Sequence, residues 1–164
     1  MAKVAVVILN WNGKELLSRF LPAIIQYNSC GAEIIVADNA STDDSISFLK
    51  EKFPSIRIIQ NTSNAGYAGG YNTALKQVEA EYYVLLNSDV EVTPNWLEPV
   101  ISLMDSSSSI AAAQPKVKSF YNRDEFEYAG AAGGFIDKYG YPFCRGRIFN
   151  SFEKDQGQYN DVKE

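Results

Sequence analysis

Short apolar runs alternate along the chain with segments whose apolar residues recur at every third or fourth position. The runs at residues 4–9, 33–37, 56–59 and 82–86 are rich in β-branched and aromatic residues, which predicts strands. The segment 14–25, after the first run, has the apolar period of a helix lying on a sheet. Because repeated strand–helix units place parallel strands in one sheet with helices on both faces, the pattern predicts an α/β fold, a three-layer sandwich with a mainly parallel central sheet.

Capping and turn residues predict where the helices begin. Pro22 should kink the first helix or start a second short one. The hydroxyl and acidic residues at 41–44 have the pattern of an N-terminal cap for the second helix, and Thr93 followed by Pro94 has that pattern for a later helix. Residues 61–72, rich in glycine and asparagine, predict a loop that enters a helix only after its end.

The pattern loosens in the last third of the chain. Residues 110–117 predict one more strand, although Pro115 weakens that prediction. Beyond them, aromatic residues interleave with glycines such as Gly130, which is typical of hairpins and ordered loops. We therefore expect an α/β domain at 1–118 and an incomplete aromatic and glycine-rich region at 119–164. Its polar end reaches no further element, so we expect the natural protein to continue.

Composition narrows the classes of function. The 164 residues are enough for one sizeable core, and the net charge of -5 gives no basic field, which disfavours binding to nucleic acid. The chain has no histidine, so acid–base chemistry or metal binding would rest on carboxylates. Cys30 and Cys144 lack the spacing of a zinc site or a disulfide framework, which favours two free thiols. The first apolar run is not followed by a signal-peptide cleavage site, which favours a cytoplasmic chain.

Polar residues follow the predicted strands at their carboxyl ends, which meet at one edge of a parallel sheet, where ligands bind. Asp89 is the best metal ligand among them, because its carboxylate comes just after a buried strand. Caps and turns explain each segment separately, and a cap is favoured for Asp38 taken alone. Together the segments suit a nucleotide diphosphate, whose phosphates need a hard metal ion and backbone amides. The candidate residues are Asn10, Trp11, Asn12, Asp38, Asn39, Asn64, Gly66, Gly69, Gly70, Asn72, Asn87, Ser88 and Asp89.

Other nucleotide-binding folds lack their central motif in this chain. NWNG follows the first strand where a dinucleotide fold would have GxGxxG, and no phosphate-loop pattern of the GxxxxGKS or GxxxxGKT type occurs. A phosphoacceptor receiver domain would need acids where Asn10 and Asn12 stand. These three classes are therefore disfavoured.

Four ordered motifs give the chain a family resemblance. VVILNWNG at 6–13, IIVADNASTDDS at 34–45, NAGYAGGYN at 64–72 and YYVLLNSDVEVTPNWL at 82–97 strongly resemble the nucleotide-binding half of family 2 glycosyltransferases with the GT-A fold, particularly the branch that looks like rhamnosyltransferases. The resemblance covers residues 4–117 and continues weakly to Arg147. It implies an inverting transfer of sugar from a nucleotide-diphosphate sugar to an acceptor hydroxyl, in the synthesis of cell-surface polysaccharide.

The resemblance also implies roles for the candidate residues. The residues after the first strand and Asp38 would contact the nucleoside, with Asp38 accepting a hydrogen bond from the pyrimidine ring N–H, and the glycine-rich loop would lie beside the base and diphosphate. Asn87, Ser88 and Asp89 take the family's DxD position, where Mg²⁺ or Mn²⁺ holds the diphosphate. Asn87 replaces the first acid of that motif, but one carboxylate completed by phosphates and waters still suits Mg²⁺.

The implied partners are a nucleotide-diphosphate sugar and a saccharide or lipid-linked saccharide acceptor. Peripheral association of the parent enzyme with the inner face of the cell membrane, and the oligomeric state, stay open. The carboxylate base of inverting members has no convincing match, since clustered acids such as Asp124, Glu125 and Glu127 are typical of solvated surface. We expect the base beyond Glu164, which leaves the catalytic residue unknown.

Two alternative functions accompany this interpretation, and the aromatic region has two interpretations of its own. The chain could be a non-catalytic nucleotide-sugar-binding fragment. A nucleotidyltransferase ranks low, because it normally has a basic, glycine-rich signature after its first strand. The aromatic residues at 120–149 could stack on sugars as an acceptor platform or form the core of hairpins, and the hairpin core is favoured.

Overall fold

The computed structural model describes residues 2–128 and 132–159, and the chain forms two compact units, 1–101 and 102–164. Strands and helices alternate through the first unit, as the sequence predicts. In chain order they are β1 Ala2–Asn10, α1 Lys14–Gln26, β2 Glu33–Asp38, α2 Ser45–Lys52, β3 Arg57–Gln60, α3 Gly66–Leu75, β4 Ala80–Asn87 and α4 Glu98–Ser106, which continues into the second unit.

The four strands of the first unit form a parallel sheet in the order β3-β2-β1-β4. On one face, helices α1, α2 and α4 bury Leu17, Leu49 and Ile101 against the sheet. On the other face, α3 packs Tyr71 and Ala74 over the central strands. The central strand β1 is therefore buried on both sides, which explains its continuous apolar run. The predicted three-layer α/β sandwich with a parallel sheet is confirmed.

Strand β4 differs from its prediction as a strand covered on both faces. It lies at the edge of the sheet, and its residues alternate between two environments. Tyr82 and Val84 pack with the core on the α1 face, whereas Tyr83 and Leu85 on the other face are about half exposed. The physical reason is that α3 packs mainly over β1 and β2.

Helix α3 begins earlier in the chain than the sequence predicted. The glycine-rich segment was expected to stay a loop through residue 72, but the helix already begins at Gly66. Tertiary packing overrides the low helix propensity of glycine, because α3 buries Tyr71 and Ala74 against the sheet. Gly70 has a specific reason to be glycine, since a Cβ there would lie 2.9 Å from Nδ2 of Asn39.

Two helix boundaries also differ from the predictions. Helix α1 continues through Pro22 to Gln26, so no second short helix begins there. Helix α4 begins at Glu98 rather than at Pro94, and Pro99 lies in its first turn, where a missing N–H costs no helical hydrogen bond. Asn95 has a left-handed φ of 58°, which interrupts any helix between Pro94 and Glu98.

The described part of the second unit contains a small antiparallel sheet of strands β5 Gly134–Ile136, β6 Pro142–Cys144, β7 Arg147–Ile148 and β8 Ser151–Phe152, paired in chain order. The expected hairpins are present. The strand predicted at 110–117 is wrong, because this segment has no strand pairing in the structure. Gly130 and the polar end after residue 159 lie outside the described residues.

Aromatic and basic side chains hold the second unit together. The rings of Phe135 and Phe143, paired across β5 and β6, stack with centroids 5.4 Å apart, and the guanidinium of Arg145 lies 4.4 Å from the Phe135 centroid. The Phe126 ring is buried beneath Gly146, where a Cβ would lie 2.5 Å from the ring. Among the described aromatic residues at 120–149 only Phe126 is buried, whereas rings such as Tyr121, Tyr139 and Tyr141 are exposed, so the expected hairpin core is limited to the surroundings of Phe126. Within residues 2–128 and 132–159, the helices are too short or too polar to span a membrane.

Candidate functional site

The carboxyl ends of three strands are neighbours in the first unit. Asn10, the last residue of β1, pairs in register with Asp38, the last residue of β2, and Leu9 pairs with Asn87 at the end of β4. The loops after these strands carry most of the candidate residues predicted from the sequence. A separate cavity of 540 Å³ lies at the amino ends of the strands, lined by residues such as Ala2 and Arg57, and contains none of the candidates.

A buried hydrogen-bonded pair joins the ends of β1 and β2. Nδ2 of Asn10 donates to Oδ1 of Asp38 at 3.0 Å and to Oγ of Ser41 at 3.2 Å. The backbone N–H of Ser41 donates to Oδ2 of Asp38 at 3.0 Å. Asn10 is 0% exposed and Asp38 is 2% exposed, so each oxygen of the carboxylate already has an internal donor. The pair holds the loop after β2 in place.

Asn12 connects the loops after β1 and β2. It adopts a left-handed φ of 51°, which asparagine tolerates better than most residues. Its N–H donates to Oγ of Ser41 at 2.9 Å, and its Oδ1 accepts from the N–H of Thr42 at 2.7 Å. The side chain is exposed, so its amide group stands at the surface of the two joined loops. Trp11 beside it is 58% exposed.

Asp43 connects the amino ends of two helices. Its Oδ2 accepts from the backbone N–H of Lys14 at the start of α1 at 3.2 Å, and its Oδ1 accepts from the N–H of Ser45 at the start of α2 at 3.0 Å. Partial burial acts to raise the pKa of Asp43, but the hydrogen bonds from Ser45 and Lys14 outweigh it and hold the pKa below its ordinary value of 3.8. Asp43 therefore accepts from the first backbone N–H of both helices, although the N-cap residues Gly13 and Asp44 make no side-chain capping hydrogen bond themselves.

An amide network joins the loops after β2 and β3 to α3. Nδ2 of Asn39 donates to Oδ1 of Asn64 at 2.8 Å and to the carbonyl of Gly66 at 3.1 Å. Nδ2 of Asn61 donates to Oδ1 of Asn39 at 3.1 Å and to the carbonyl of Gly70 at 3.1 Å. Asn39 and Asn61 are buried, so this network acts as an internal support. Asn61 is not among the candidates named from the sequence, although it directly follows β3 as the others follow their strands.

The turn after β4 exposes the acid expected to bind a metal. Asn87 and Asp89 are exposed and Ser88 is half-buried. The residue before this turn, Leu86, accepts a hydrogen bond through its carbonyl from the hydroxyl of Tyr71 at 2.9 Å. Tyr71 was also missed by the sequence analysis, because it lies in the glycine-rich segment 61–72 that was predicted to be a loop.

Tyr71 stays a proton donor at all ordinary pH values. Its side chain is buried, with 2% exposure. Burial first, then the neighbouring Tyr67 and the charge of Asp89, raise the pKa of the Tyr71 hydroxyl far above its ordinary value of 10.0.

The turn after β4 offers part of the coordination that a divalent cation needs. Within the described ranges, no group of three His, Cys, Asp or Glu side chains is placed to hold a metal ion. The turn offers hard oxygen donors only: the carboxylate of Asp89, the amide oxygen of Asn87 and the hydroxyl of Ser88. Mg²⁺ is bound through one or two carboxylates when substrate phosphates and waters complete its octahedron. The turn therefore fits a metal ion that arrives with a diphosphate, and does not form a complete protein cage.

Comparison with known families places these features in context. The sequence model of the family described as Glycosyl transferase family 2 matches residues 5–160. An uncharacterized glycosyltransferase of Haemophilus influenzae is 28% identical over 112 residues, which covers 66% of this chain and 35% of that protein. The poly(ribitol-phosphate) beta-glucosyltransferase of Bacillus spizizenii is 32% identical over 93 residues, covering 53% of this chain and 15% of that protein. A UDP-Glc:alpha-D-GlcNAc-diphosphoundecaprenol beta-1,3-glucosyltransferase of Escherichia coli is 28% identical over 102 residues, covering 62% and 40%.

Solved structures share the fold. A mannosyltransferase from Pyrobaculum calidifontis, in complex with GDP-Man and Mn²⁺, superposes with a TM-score of 0.56 at 25% identity and covers 70% of this chain and 33% of its own. TarS of S. aureus, in complex with UDP-GlcNAc, superposes with a TM-score of 0.57 at 21% identity, covering 71% and 38%. The expected GT-A fold is therefore confirmed. The chain spans about a third of the length of the Haemophilus relative.

Proposed function

Because the chain belongs to glycosyltransferase family 2, we propose that it binds a nucleotide-diphosphate sugar at the carboxyl edge of the parallel sheet. We propose further that the parent enzyme transfers the sugar, with inversion, to an acceptor hydroxyl during synthesis of a cell-surface polysaccharide. The observation that carries the proposal is the exposed turn with Asp89, next to loops whose positions are fixed by buried hydrogen bonds between Asn10, Asp38 and Ser41.

Burial divides the candidate residues into two groups. Exposed side chains on the surface of the edge are available to contact the donor, and buried ones hold the loops that carry them. Asp38 belongs to the second group, because a pyrimidine N–H can reach its carboxylate only if the loop over it moves. The proposed contact residues are Trp11, Asn12, Asn64, Asn72, Asn87, Asp89 and the half-buried Ser88. The proposed supporting residues are Asn10, Asp38, Asn39 and Gly70, with Gly66 and Gly69 shaping the backbone.

Asp89, with Asn87 and Ser88 beside it, would hold Mg²⁺ or Mn²⁺ together with the diphosphate of the donor. When bound, such an ion supplies positive charge at the leaving diphosphate. The chain's own contribution is to place the Asp89 carboxylate at a defined point of the edge and to orient the nucleoside in the loops after β1 and β2. The Mn²⁺ in the structure of the Pyrobaculum mannosyltransferase supports this assignment.

The acceptor is proposed to be a saccharide or a lipid-linked saccharide. One relative supports this class, since its name specifies a diphosphoundecaprenol-linked sugar. A parent enzyme with such an acceptor would act in the cytoplasm at the inner face of the cell membrane. In this proposal the second unit begins the acceptor side of the parent enzyme.

A second candidate function is nucleotide-sugar binding without transfer. In the acidic cluster of Asp124, Glu125 and Glu127, the first two carboxylates lack the properties of a catalytic base, which favours this function. Asp124 forms an ion pair with Lys154 at 2.8 Å. The hydrogen bond from Lys154 lowers the pKa of Asp124, which makes this carboxylate a poorer general base. Glu125 accepts a hydrogen bond from Nδ2 of Asn122. Neither acid has the setting of a catalytic base in the described part of the second unit.

Calorimetric titration of the chain with UDP and with GDP, each with and without Mn²⁺, tests the proposal. We expect Mn²⁺ to strengthen binding of at least one nucleotide. Asp89→Asn should remove that Mn²⁺-dependent gain, because it removes the charge and keeps the shape of the side chain. Glu81→Gln is the matched control, since Glu81 is an exposed acid at the opposite end of the same strand. Equal Mn²⁺-dependent binding by Asp89→Asn and the unmodified chain would refute the proposed site. Turnover of a UDP- or GDP-sugar by this chain would refute the binding-only function.

A further inference from the structure

The turn that carries Asp89 follows a strand with little support. Among the described residues, strand β4 is at the edge of its sheet and pairs with β1 alone. On the α3 face its side chains Tyr83 and Leu85 are half-exposed. A metal-binding carboxylate works only if its place is fixed to within about 0.5 Å. The structure must therefore restrain the end of β4 by another contact.

The buried hydroxyl of Tyr71 makes that contact. It donates to the carbonyl of Leu86 at 2.9 Å, and Leu86 is the residue directly before the turn of Asn87, Ser88 and Asp89. The Tyr71 side chain extends from α3 into the core between this helix and the sheet. The ring of Tyr67, also on α3, lies edge-on against it with centroids 5.1 Å apart. Packing of the Tyr71 ring therefore restricts the movement of its hydroxyl away from the Leu86 carbonyl.

Helix α3 is itself fixed to the ends of two other strands. The carbonyl of Gly70, next to Tyr71 in the chain, accepts from Nδ2 of Asn61, which directly follows β3. Asn61 also donates to Asn39 after β2, and Asn39 fills the space where a Cβ of Gly70 would lie. A continuous series of contacts therefore runs from the loops after β2 and β3, through α3, to the last residues of β4.

We propose that Tyr71 is a positioning residue for the turn of Asn87, Ser88 and Asp89. By holding the Leu86 carbonyl, its hydroxyl sets the place of the Asp89 carboxylate relative to the loops that hold the nucleoside. This inference rests on the proposed function, in which Asp89 holds the metal ion and diphosphate. Tyr71 touches neither the donor nor the metal ion in this scheme and acts through the backbone of β4.

Tyr71→Phe in the complete 164-residue chain removes the hydroxyl and keeps the packed ring. Tyr83→Phe is the matched control, because the Tyr83 hydroxyl also donates to a backbone carbonyl, that of Val78 at 3.1 Å, at the opposite end of β4. Titration with UDP should show that Tyr71→Phe weakens the Mn²⁺-dependent affinity roughly threefold to tenfold, as for loss of one hydrogen bond. Binding without Mn²⁺ should stay unchanged, and Tyr83→Phe should leave both unchanged.

A double-mutant cycle with Asp89→Asn separates positioning from general structural support. If Tyr71 acts through Asp89, Tyr71→Phe should have no further effect on UDP affinity in the Asp89→Asn background. Additive losses, equal losses with and without Mn²⁺, or failure of Tyr71→Phe to fold would overturn the inference. If the unmodified chain gains no affinity for UDP or GDP from Mn²⁺, the proposed function fails first and this inference fails with it. Mn²⁺-dependent binding that Tyr71→Phe leaves intact would overturn the inference alone.

Discussion

Nδ2 of Asn10 donates to Oδ1 of Asp38 at 3.0 Å, and the two residues are paired in register as the last residues of neighbouring strands. Both residues are buried, and the backbone N–H of Ser41 donates to the other carboxylate oxygen of Asp38, Oδ2. A buried carboxylate is stable only when such donors compensate its lost hydration. This pair therefore determines the shape of the edge where the donor is proposed to bind.

Asn10→Asp should destabilise the chain by about 3 kcal/mol at pH 7, because a second carboxylate would replace the amide donor and leave two like charges facing each other. The repulsion raises the pKa of one member of the pair in the folded state. Lowering the pH from 7 toward about 4 should therefore reduce the deficit, as that group takes up its proton. Urea unfolding over this pH range measures both effects.

Asn95→Asp is the control for this substitution, since Asn95 is exposed and aspartate also tolerates its left-handed φ. Its stability should differ little from that of the unmodified chain. An Asn10→Asp variant as stable at pH 7 as the Asn95→Asp control would contradict the assigned role of the pair.

Gly70→Ala should lower stability by roughly 1–3 kcal/mol, because the new Cβ would lie 2.9 Å from Asn39 Nδ2 and displace the amide network. Helix propensity acts in the opposite direction and favours alanine by about 1 kcal/mol within a helix. The sign of the change therefore shows which effect is larger. If urea unfolding finds Gly70→Ala more stable than the unmodified chain, the Asn39 side chain can shift to accommodate the new Cβ at little cost in free energy.

Asp43→Asn should lower stability at pH 7 and lose its effect in acid. The folded-state pKa of Asp43 lies below 3.8, so its stabilisation is fully present above that value and is lost as the pH falls through the folded-state pKa. Thermal unfolding should show a lower midpoint for Asp43→Asn at pH 7, with the two curves converging below pH 3.8.

Asp44→Asn is the neighbouring control for Asp43. Its carboxylate makes an exposed ion pair with Lys14 at 3.5 Å, and such pairs contribute little to stability. Its unfolding midpoint at pH 7 should stay close to that of the unmodified chain. Equal losses for Asp43→Asn and Asp44→Asn would indicate a general charge effect instead of the double helix cap.

Trp11→Ala should weaken UDP binding roughly fivefold to a hundredfold, both with and without Mn²⁺. Trp11 is 58% exposed at the proposed nucleoside end of the edge, and stacking of a base on an aromatic ring contributes about 1–3 kcal/mol. Trp11→Phe should retain most of the affinity, because it keeps a ring. A loss confined to the Mn²⁺-dependent part would place Trp11 at the diphosphate and contradict its proposed role.

Local pattern was sufficient for the four strands of the parallel sheet and for the edge where their ends meet, but it wrongly predicted a strand at 110–117. The apolar run of β1 is continuous because this strand is buried on both faces, and Asn10, Asp38 and Asn87 each end a strand as expected. The pattern could not show which of these residues would be buried. Exposure depends on partners distant in the chain, such as Ser41 for Asn10 and Asn61 for Asn39.

The sequence by itself determined the α/β class, the parallel sheet and the four motifs of the family, because apolar periodicity and strand–helix alternation are local properties. Only the tertiary structure decided that the glycine-rich segment forms α3, since packing of Tyr71 and Ala74 outweighs the cost of glycine in a helix. Only it showed that one carboxylate, Asp43, serves two helices. The hydrogen bond from Tyr71 to Leu86 is of the same kind, because it joins elements whose proximity is a property of the folded sheet.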